Sequence, residues 1–219
     1  MRTKFDEQLK QLNDEMMQMG FMIQDSIQKA IESLVRQDVE LAKTIIEGDM
    51  QVDREQKRIE DICFNLLMQQ QPVARDLRTI SAAMKMVTDM ERIGDHAADI
   101  CEMTIMMSDA PYTFNLDHIN KMASETMLML MRSIEAYVKK DIEAAQSVIA
   151  HDDVVDELFD QVKKDLIQMV QSDPKSGEQA TDMLMVAKYF ERIGDHATNI
   201  GEWVIFSLDS QGKLSPFRR

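Results

Sequence analysis

One heptapeptide, Glu-Arg-Ile-Gly-Asp-His-Ala, occurs twice in this chain, at residues 91–97 and again at residues 191–197. Seven identical consecutive residues do not recur by chance in a chain of 219 residues. The duplication predicts two structurally similar halves. We assign them to residues 1–109 and 110–208, followed by a loose tail at 209–219.

The composition and the placement of proline predict helices throughout. Met, Leu, Ala, Glu, Gln, Lys and Ile are plentiful, whereas the chain has only seven Gly and four Pro. Three prolines, Pro72, Pro111 and Pro174, fall between stretches whose apolar residues recur at helical spacing. We therefore expect an all-α fold of two tandem, similar three-helix bundles. The six long helices are predicted at residues 5–36, 38–70, 73–107, 116–138, 141–172 and 177–208.

Carboxylates four residues apart lie on the same face of a helix. Each heptapeptide supplies one such pair, Glu91 with Asp95 and Glu191 with Asp195, and the preceding helix of each half supplies an Asp-x-x-x-Asp pair. Antiparallel neighbours place residues that are equidistant from their connecting turn at the same height, so the two pairs of each half should meet. The candidate metal-binding residues are Asp49, Asp53, Glu91, Asp95, Asp152, Asp156, Glu191 and Asp195.

Four carboxylates at close quarters repel one another, so we expect a cation to balance them. The sequence leaves open whether this cation is an arginine side chain or a metal ion. Arg92 and Arg192 follow the glutamates and could neutralise the acidic face as exposed ion pairs. Alternatively, several oxygen donors at close quarters suit hard cations such as Mg²⁺, Mn²⁺, Ca²⁺ or iron. Duplication of the whole set strengthens the case for metal, because a merely solvated face has no reason to repeat its identities, and both interpretations stay open. Because the carboxylates lie off the apolar face of their helix, any such site should be at or near the surface.

The charge balance and the motif content exclude several classes of function. Lys and Arg total 25 against 39 Asp and Glu, a net charge of −14, so the protein repels nucleic acid and anionic lipid. The sequence has neither an apolar run long enough to span a membrane nor a signal-peptide core at its start. It also lacks a nucleophile elbow, a phosphate-binding loop and a dinucleotide fingerprint. We expect a cytoplasmic protein that is not an enzyme and has no catalytic residues.

These features together resemble the PhoU family of phosphate-uptake regulators. The resemblance is carried by the two heptapeptides, the duplicated carboxylate pairs, the Met19-Gly20 dipeptide and residues 71–78, which read Gln-Pro-Val-Ala-Arg-Asp-Leu-Arg. It implies two similar three-helix bundles and an accessory protein of the high-affinity phosphate ABC transporter. It also implies negative regulation of phosphate uptake and of the phosphate-starvation response, through contacts with the transporter's ATPase subunit and a sensor histidine kinase.

The same resemblance implies bound metal. Proteins of this family hold multinuclear metal clusters in E/D-x-x-x-D motifs, and many form dimers. Carried over position by position, the motifs fall on the eight carboxylates named above. Iron is the metal that the resemblance favours, with Mn, Zn or Mg as alternatives. Asn199 stands where the first half has Asp99, so Asp99 is not part of the duplicated set.

Two other interpretations remain open at the level of sequence. The clustered carboxylates could hold two cations that activate water, which would make the protein a metal-dependent phosphohydrolase. The helices could also form a metal-free structural scaffold whose acidic faces bind nothing. Neither heptapeptide contains the Glu-x-x-His element of di-iron bundles, and the sequence offers no candidate base outside the carboxylate set. A regulatory adaptor with metal sites is therefore the leading hypothesis.

Overall fold

A computed structural model describes residues 2–69 and 73–209. Six long α-helices account for almost all of these residues, and the described part of the chain contains no β-strand. An all-α fold is thereby confirmed. The helices are α1 (Arg2–Arg36), α2 (Val39–Gln69), α3 (Ala74–Met106), α4 (Asp117–Lys139), α5 (Ile142–Ser172) and α6 (Gly177–Leu208).

The predicted helix ends differ from the observed ones by up to three residues. The sequence places α1 from residue 5, but the helix already begins at Arg2. Pro174 does more than break a helix, because it opens a short 3₁₀ turn, Pro174–Ser176, that leads directly into α6. The predicted break at Pro72 and the predicted tail beyond Asp209 lie outside the described residues.

The first turn of each half is built in the same way. Gln37 and Lys140 both adopt the left-handed conformation, with φ of 52° and 58°. An aspartate follows each of them and caps the next helix, as the sequence predicts. The Asp38 carboxylate accepts a hydrogen bond from the Leu41 amide at 3.0 Å, and the Asp141 carboxylate accepts one from the Ala144 amide at 3.0 Å. The duplication therefore extends to the backbone geometry of the turns.

The helices pack as two groups of three that share one core. Within the halves, α1, α2 and α3 contact one another, as do α4, α5 and α6. Between the halves, α3 packs along α6 and α1 packs against α4. The buried apolar side chains form one continuous cluster that runs through both groups, with Phe190, Leu12 and Met16 among its largest fully buried members.

The seam between α3 and α6 joins the two halves along the helices that carry the heptapeptides. The Arg78 guanidinium, near the start of α3, lies 5.3 Å from the centre of the Phe206 ring, near the end of α6. The two helices are therefore antiparallel. His96 and His196, one from each heptapeptide, meet at this seam with ring centres 5.7 Å apart. Because the heptapeptides sit at the middle of the seam, the carboxylates of both halves flank it.

Candidate metal centres

Glycine in each heptapeptide allows the preceding helix to approach closely. A Cβ atom on Gly94 would lie 3.1 Å from Val52 Cγ1 and 3.4 Å from Asp49 Oδ1. The corresponding atom on Gly194 would lie 3.1 Å from Asp152 Oδ1 and 3.4 Å from Val155 Cγ1. Glycine inside a helix costs about 1 kcal/mol relative to alanine. Here that cost is offset by close contact between two helices, which sets an aspartate of α2 or α5 against the heptapeptide.

The first four predicted residues come together as one group, which we call cluster 1 (Asp49, Asp53, Glu91 and Asp95). Burial is the largest influence on the Asp49 carboxyl, and the charges of Asp95, Asp53 and Glu91 act in the same direction. Together they raise the pKa of Asp49 to about 6. Burial and the nearby Asp95 likewise raise the pKa of Glu91. Each carboxylate is thus close enough to oppose ionisation of its neighbours.

The second half repeats this arrangement as cluster 2 (Asp152, Asp156, Glu191 and Asp195). Burial, followed by the charges of Asp195 and Asp156, raises the pKa of Asp152 to about 6. Burial and the Glu191 charge raise the pKa values of both Asp156 and Asp195. All eight predicted carboxylates are therefore grouped by the fold as the duplicated sequence predicts.

Side-chain cations offset part of this negative charge. In cluster 1, Arg92 lies 2.9 Å from an Asp95 carboxylate oxygen and 3.6 Å from one of Glu91. In cluster 2 the ion pair joins Lys188 to Glu191, and Thr88 is the first-half counterpart of Lys188. The cations are 57% and 39% exposed, and exposed pairs contribute only about 0–1 kcal/mol each. These pairs do not outweigh burial and the neighbouring carboxylates, which together keep the pKa values of Asp49 and Asp152 raised.

The chemistry of the donor set fits a hard cation. Each cluster offers four carboxylates. Solvent reaches cluster 1, where the side chains of Glu91 and Asp95 are 18% and 31% exposed, and cluster 2, where the Glu191 side chain is 17% exposed. This partial exposure agrees with the predicted position at the surface and leaves room for water ligands. With the side chains as they stand, no three His, Cys, Asp or Glu of the described residues converge as ligands of one ion.

The sequence predicts hydrogen-bonded surface or interhelix histidines at His96 and His196, but it does not predict their partners at the seam. Asp89 accepts hydrogen bonds across the seam from His196 Nδ1 at 2.8 Å and from Asn199 Nδ2 at 3.1 Å. On the other side, His96 pairs with Asp99 of its own helix at 3.0 Å, and its ring packs 5.6 Å from the Tyr189 ring. Both histidines are thus engaged between or along the helices. The available signal was a break in the repeat, because Asp89 is replaced by tyrosine in the second half.

The described helices include none long and apolar enough to cross a lipid bilayer.

The fold and the site together define a duplicated helical protein with a four-carboxylate cluster in each half. Comparison with known proteins gives the family. The PhoU domain profile matches residues 16–104 and again residues 119–204, which places one match in each half. The chain belongs to the PhoU family.

Relatives from several bacteria align with nearly the whole chain. The phosphate-specific transport system accessory protein PhoU homolog of Clostridium acetobutylicum is 36% identical over 208 residues, covering 94% of this chain and 95% of the relative. The Escherichia coli protein, the phosphate-specific transport system accessory protein PhoU, is 28% identical over 208 residues, which cover 95% of this chain and 86% of its own.

Solved structures of the family share the fold. The crystal structure of PhoU from Pseudomonas aeruginosa superposes with a TM-score of 0.87 at 28% identity, covering 93% of this chain and 98% of that one. The phosphate transport system regulatory protein PhoU from Streptococcus pneumoniae gives a TM-score of 0.86 at 26% identity, with 94% and 98% coverage. The arrangement of two similar helical bundles is therefore shared across these proteins.

The close approach at Gly94 gives the first testable prediction. A Gly94→Val substitution forces a branched side chain against Val52 and Asp49, which we expect to destabilise the protein by about 1–3 kcal/mol. Gly48→Val is the matched control on the same hairpin, since nothing lies within 4 Å of a Cβ there. Urea unfolding in the presence of a chelator measures the free energy of unfolding of both variants. Equal stability of the Gly94 and Gly48 variants would contradict the close approach.

The raised pKa of Asp49 gives a pH-dependent prediction. The folded-state pKa of about 6 lies above the ordinary value of 3.8, so the folded protein retains a proton that the unfolded chain has already released. Ionised Asp49 therefore costs stability progressively as the pH rises from about 4 to about 6. We expect Asp49→Asn to stabilise the chelator-treated protein at pH 7.5 by about 1 kcal/mol, after allowance for solvent screening, and to have little effect at pH 4.

A charge-matched control separates this effect from net charge. Asp61→Asn removes an exposed carboxylate from the same helix and should leave the free energy of unfolding nearly unchanged at both pH values. Equal effects of the two substitutions at pH 7.5 would show that the carboxylates of cluster 1 do not oppose one another.

Proposed function

We propose that this protein is a non-enzymatic negative regulator of phosphate uptake and of the phosphate-starvation response. In this proposal it acts in the cytoplasm as an adaptor between the ATPase subunit of a high-affinity phosphate ABC transporter and a sensor histidine kinase. Membership of the PhoU family supports the link to phosphate transport, because relatives of nearly the same length carry the name of transport-system accessory protein. The name of the Streptococcus pneumoniae protein supports a regulatory role.

The duplicated carboxylate cluster is the observation that best supports the proposed mechanism. We infer that clusters 1 and 2 each hold metal ions, with iron as the first choice and manganese, zinc or magnesium as alternatives. In cluster 1 the ligands would be Asp49, Asp53, Glu91 and Asp95, and in cluster 2 they would be Asp152, Asp156, Glu191 and Asp195. Burial, with neighbouring carboxylates acting in the same direction, raises the pKa values of Asp49 and Asp152, and bound cations would favour the ionised carboxylates against both effects.

Metal occupancy would change the local charge at the clusters and therefore which protein surfaces can bind there. The chain carries a net charge of −14, and the two clusters concentrate eight carboxylates beside the α3–α6 seam. Without cations this region repels other acidic surfaces, whereas bound di- or trivalent ions reduce or reverse its local charge. We propose that the occupied clusters shape the face that meets the partner proteins, and that the protein works as a homodimer.

Deletion of the gene tests the regulatory role. In the organism that encodes this chain, deletion should raise phosphate uptake and the expression of phosphate-starvation genes in phosphate-rich medium. Reintroducing the wild-type gene should restore repression. Unchanged uptake and expression in a strain that has no second gene of the family would contradict the proposed function.

Complementation of the deletion strain with variants tests whether the metal sites are needed for regulation. A double variant, Asp95→Asn with Asp195→Asn, should accumulate to the wild-type level and yet fail to restore full repression. The control is Asp61→Asn, which should restore repression as the wild type does. Full repression by the double variant would keep the regulatory role and remove metal occupancy from its mechanism.

A further inference from the structure

A mainly apolar groove lies between α5 and α6, near the end of the second half where these two helices are joined. It has a volume of about 610 Å³. Among the described residues only α5 and α6 line it, although α4 also packs against both helices. The apolar lining residues are Leu166, Ile167 and Val170 of α5 and Ala180 and Leu184 of α6. The fold therefore leaves one apolar face of the α5–α6 hairpin uncovered, and uncovered apolar faces often bind a partner.

Small residues open the groove at positions where the first half has large ones. The heptapeptides set an offset of 100 residues between α3 and α6, so Gly177 and Ala180 correspond to Leu77 and Ile80. Gly177 adopts helical φ and ψ angles of −58° and −39°, and a Cβ atom there would meet no atom within 4 Å. Neither the backbone conformation nor close packing within the described chain therefore requires glycine at this position. Its small size leaves open a space that a leucine would fill.

Lysine side chains border the groove, although the whole chain has a net charge of −14. Lys163 lines it, and the offset of 103 residues between α2 and α5 places Glu60 at the corresponding position of the first half. Lys164 lies three residues before Ile167 and so shares its helix face. Asp160 pairs with Lys163 at 2.6 Å but is 62% exposed, so this ion pair offsets only part of the positive charge.

The acidic residues around the joined end of the hairpin lie on other faces. Asp173, Glu178 and Asp182 line a separate cavity beside the residues that link the two halves. The carboxylate of Asp165 on α5 lies 2.7 Å from His118 Nδ1 of α4. A segment bound in the groove would therefore meet apolar side chains along its length and lysine at its edge.

The dimensions of the groove suit two turns of an α-helix. Its α5 wall runs from Lys163 to Gln171 and its α6 wall from Gly177 to Leu184, which are about 12 Å and 10.5 Å long. Apolar residues at i, i+3 or i+4, and i+7 span about 10.5 Å along one face of a helix.

The openness of the groove favours a helix over a small molecule. Small-molecule sites bury roughly 70–90% of the ligand surface. Ile167, in the wall of this groove, is itself 59% exposed to solvent. An open groove between two helices is instead suited to receive the side-chain ridge of a third helix.

We propose that this groove binds an amphipathic helical segment of a partner protein. The segment places apolar side chains from two turns in the groove and acidic side chains beside Lys163 and Lys164. The proposal goes beyond the regulatory role and does not depend on metal at either cluster. It assigns the docking surface to the second half, because the first half has Leu77, Ile80 and Glu60 at the corresponding positions.

Fluorescence anisotropy with synthetic helical peptides tests the proposal on the full-length protein. The acidic probe is a labelled, stapled helix of about four turns with Leu at i, i+3 and i+7 and Glu on the flanking positions. A second probe has Lys in place of each Glu, and a third has the composition of the first in scrambled order. The acidic probe should bind at least about tenfold more tightly than the scrambled one, and more tightly than the Lys probe. Non-specific attraction to an acidic chain would give the opposite charge preference.

Substitutions that restore the first-half residues locate the binding. Gly177→Leu fills the groove and Ile167→Glu places a charge in its wall, so each should weaken binding of the acidic probe at least about tenfold. Lys163→Glu should weaken it about two- to fivefold and strengthen binding of the Lys probe. Phe21→Glu is the matched control, since Phe21 on α1 is 55% exposed and its substitution adds the same charge outside the groove. Circular dichroism checks that each variant is folded.

Three outcomes would overturn the proposal. The first is equal affinity for the acidic and scrambled probes. The second is binding of the acidic probe that survives both Gly177→Leu and Ile167→Glu, or that is lost equally in Phe21→Glu. The third is self-association of the wild type that is lost only in the two groove variants, which would assign the groove to a second copy of this chain. Tighter binding of the acidic probe that is lost in the groove variants and kept in Phe21→Glu supports the proposal.

Discussion

Repulsion among four carboxylates, held together by close packing of two helices, is the constraint around which each half is built. The small size of Gly94 and Gly194 lets α2 and α5 approach the heptapeptide helices, and an aspartate carboxylate of the incoming helix lies against each glycine. The cost appears in the pKa values of Asp49 and Asp152, which burial and like charges raise to about 6. A fold that needed only two packed helices could place neutral side chains here. Cations bound at the clusters would supply the positive charge that balances these carboxylates.

The seam between α3 and α6 connects the two clusters. Each heptapeptide contributes its carboxylates to one cluster and its histidine to the seam, where the rings of His96 and His196 lie 5.7 Å apart. Burial and neighbouring carboxylates raise the pKa values of Glu91 in cluster 1 and of Asp195 in cluster 2, and His196 lies close enough to both for a proton on its ring to act in the opposite direction. The two clusters therefore lie in one electrostatic neighbourhood. A partner that contacts this side of the molecule would therefore meet both clusters.

Much of this architecture is predictable from the sequence, and the reasons lie in particular residues. The heptapeptides and the Asp-x-x-x-Asp pairs predict which carboxylates meet, because helical spacing and antiparallel register fix their positions along the hairpin. The packing of α3 against α6 is not predictable in this way, since a repeat says nothing about how its two copies pack together. For the same reason the bond from His196 to Asp89 was missed. The sequence also left open whether Arg92 or a metal balances cluster 1, because that depends on side-chain geometry and on which ions are available. The structure shows the Arg92 ion pair.

Elemental mass spectrometry on protein purified without an affinity tag tests the central claim, that the duplicated carboxylates are metal sites, most directly. The wild type would be measured beside Asp95→Asn, Asp195→Asn and the double variant, with Asp61→Asn as a control that keeps both clusters. If both clusters bind metal, the wild type should contain one or more ions per half, each single variant should lose the ions of the matching half, and the double variant should lose all of them. Wild-type protein that contains no metal, even after reloading with iron, manganese, zinc or magnesium, would contradict the central claim.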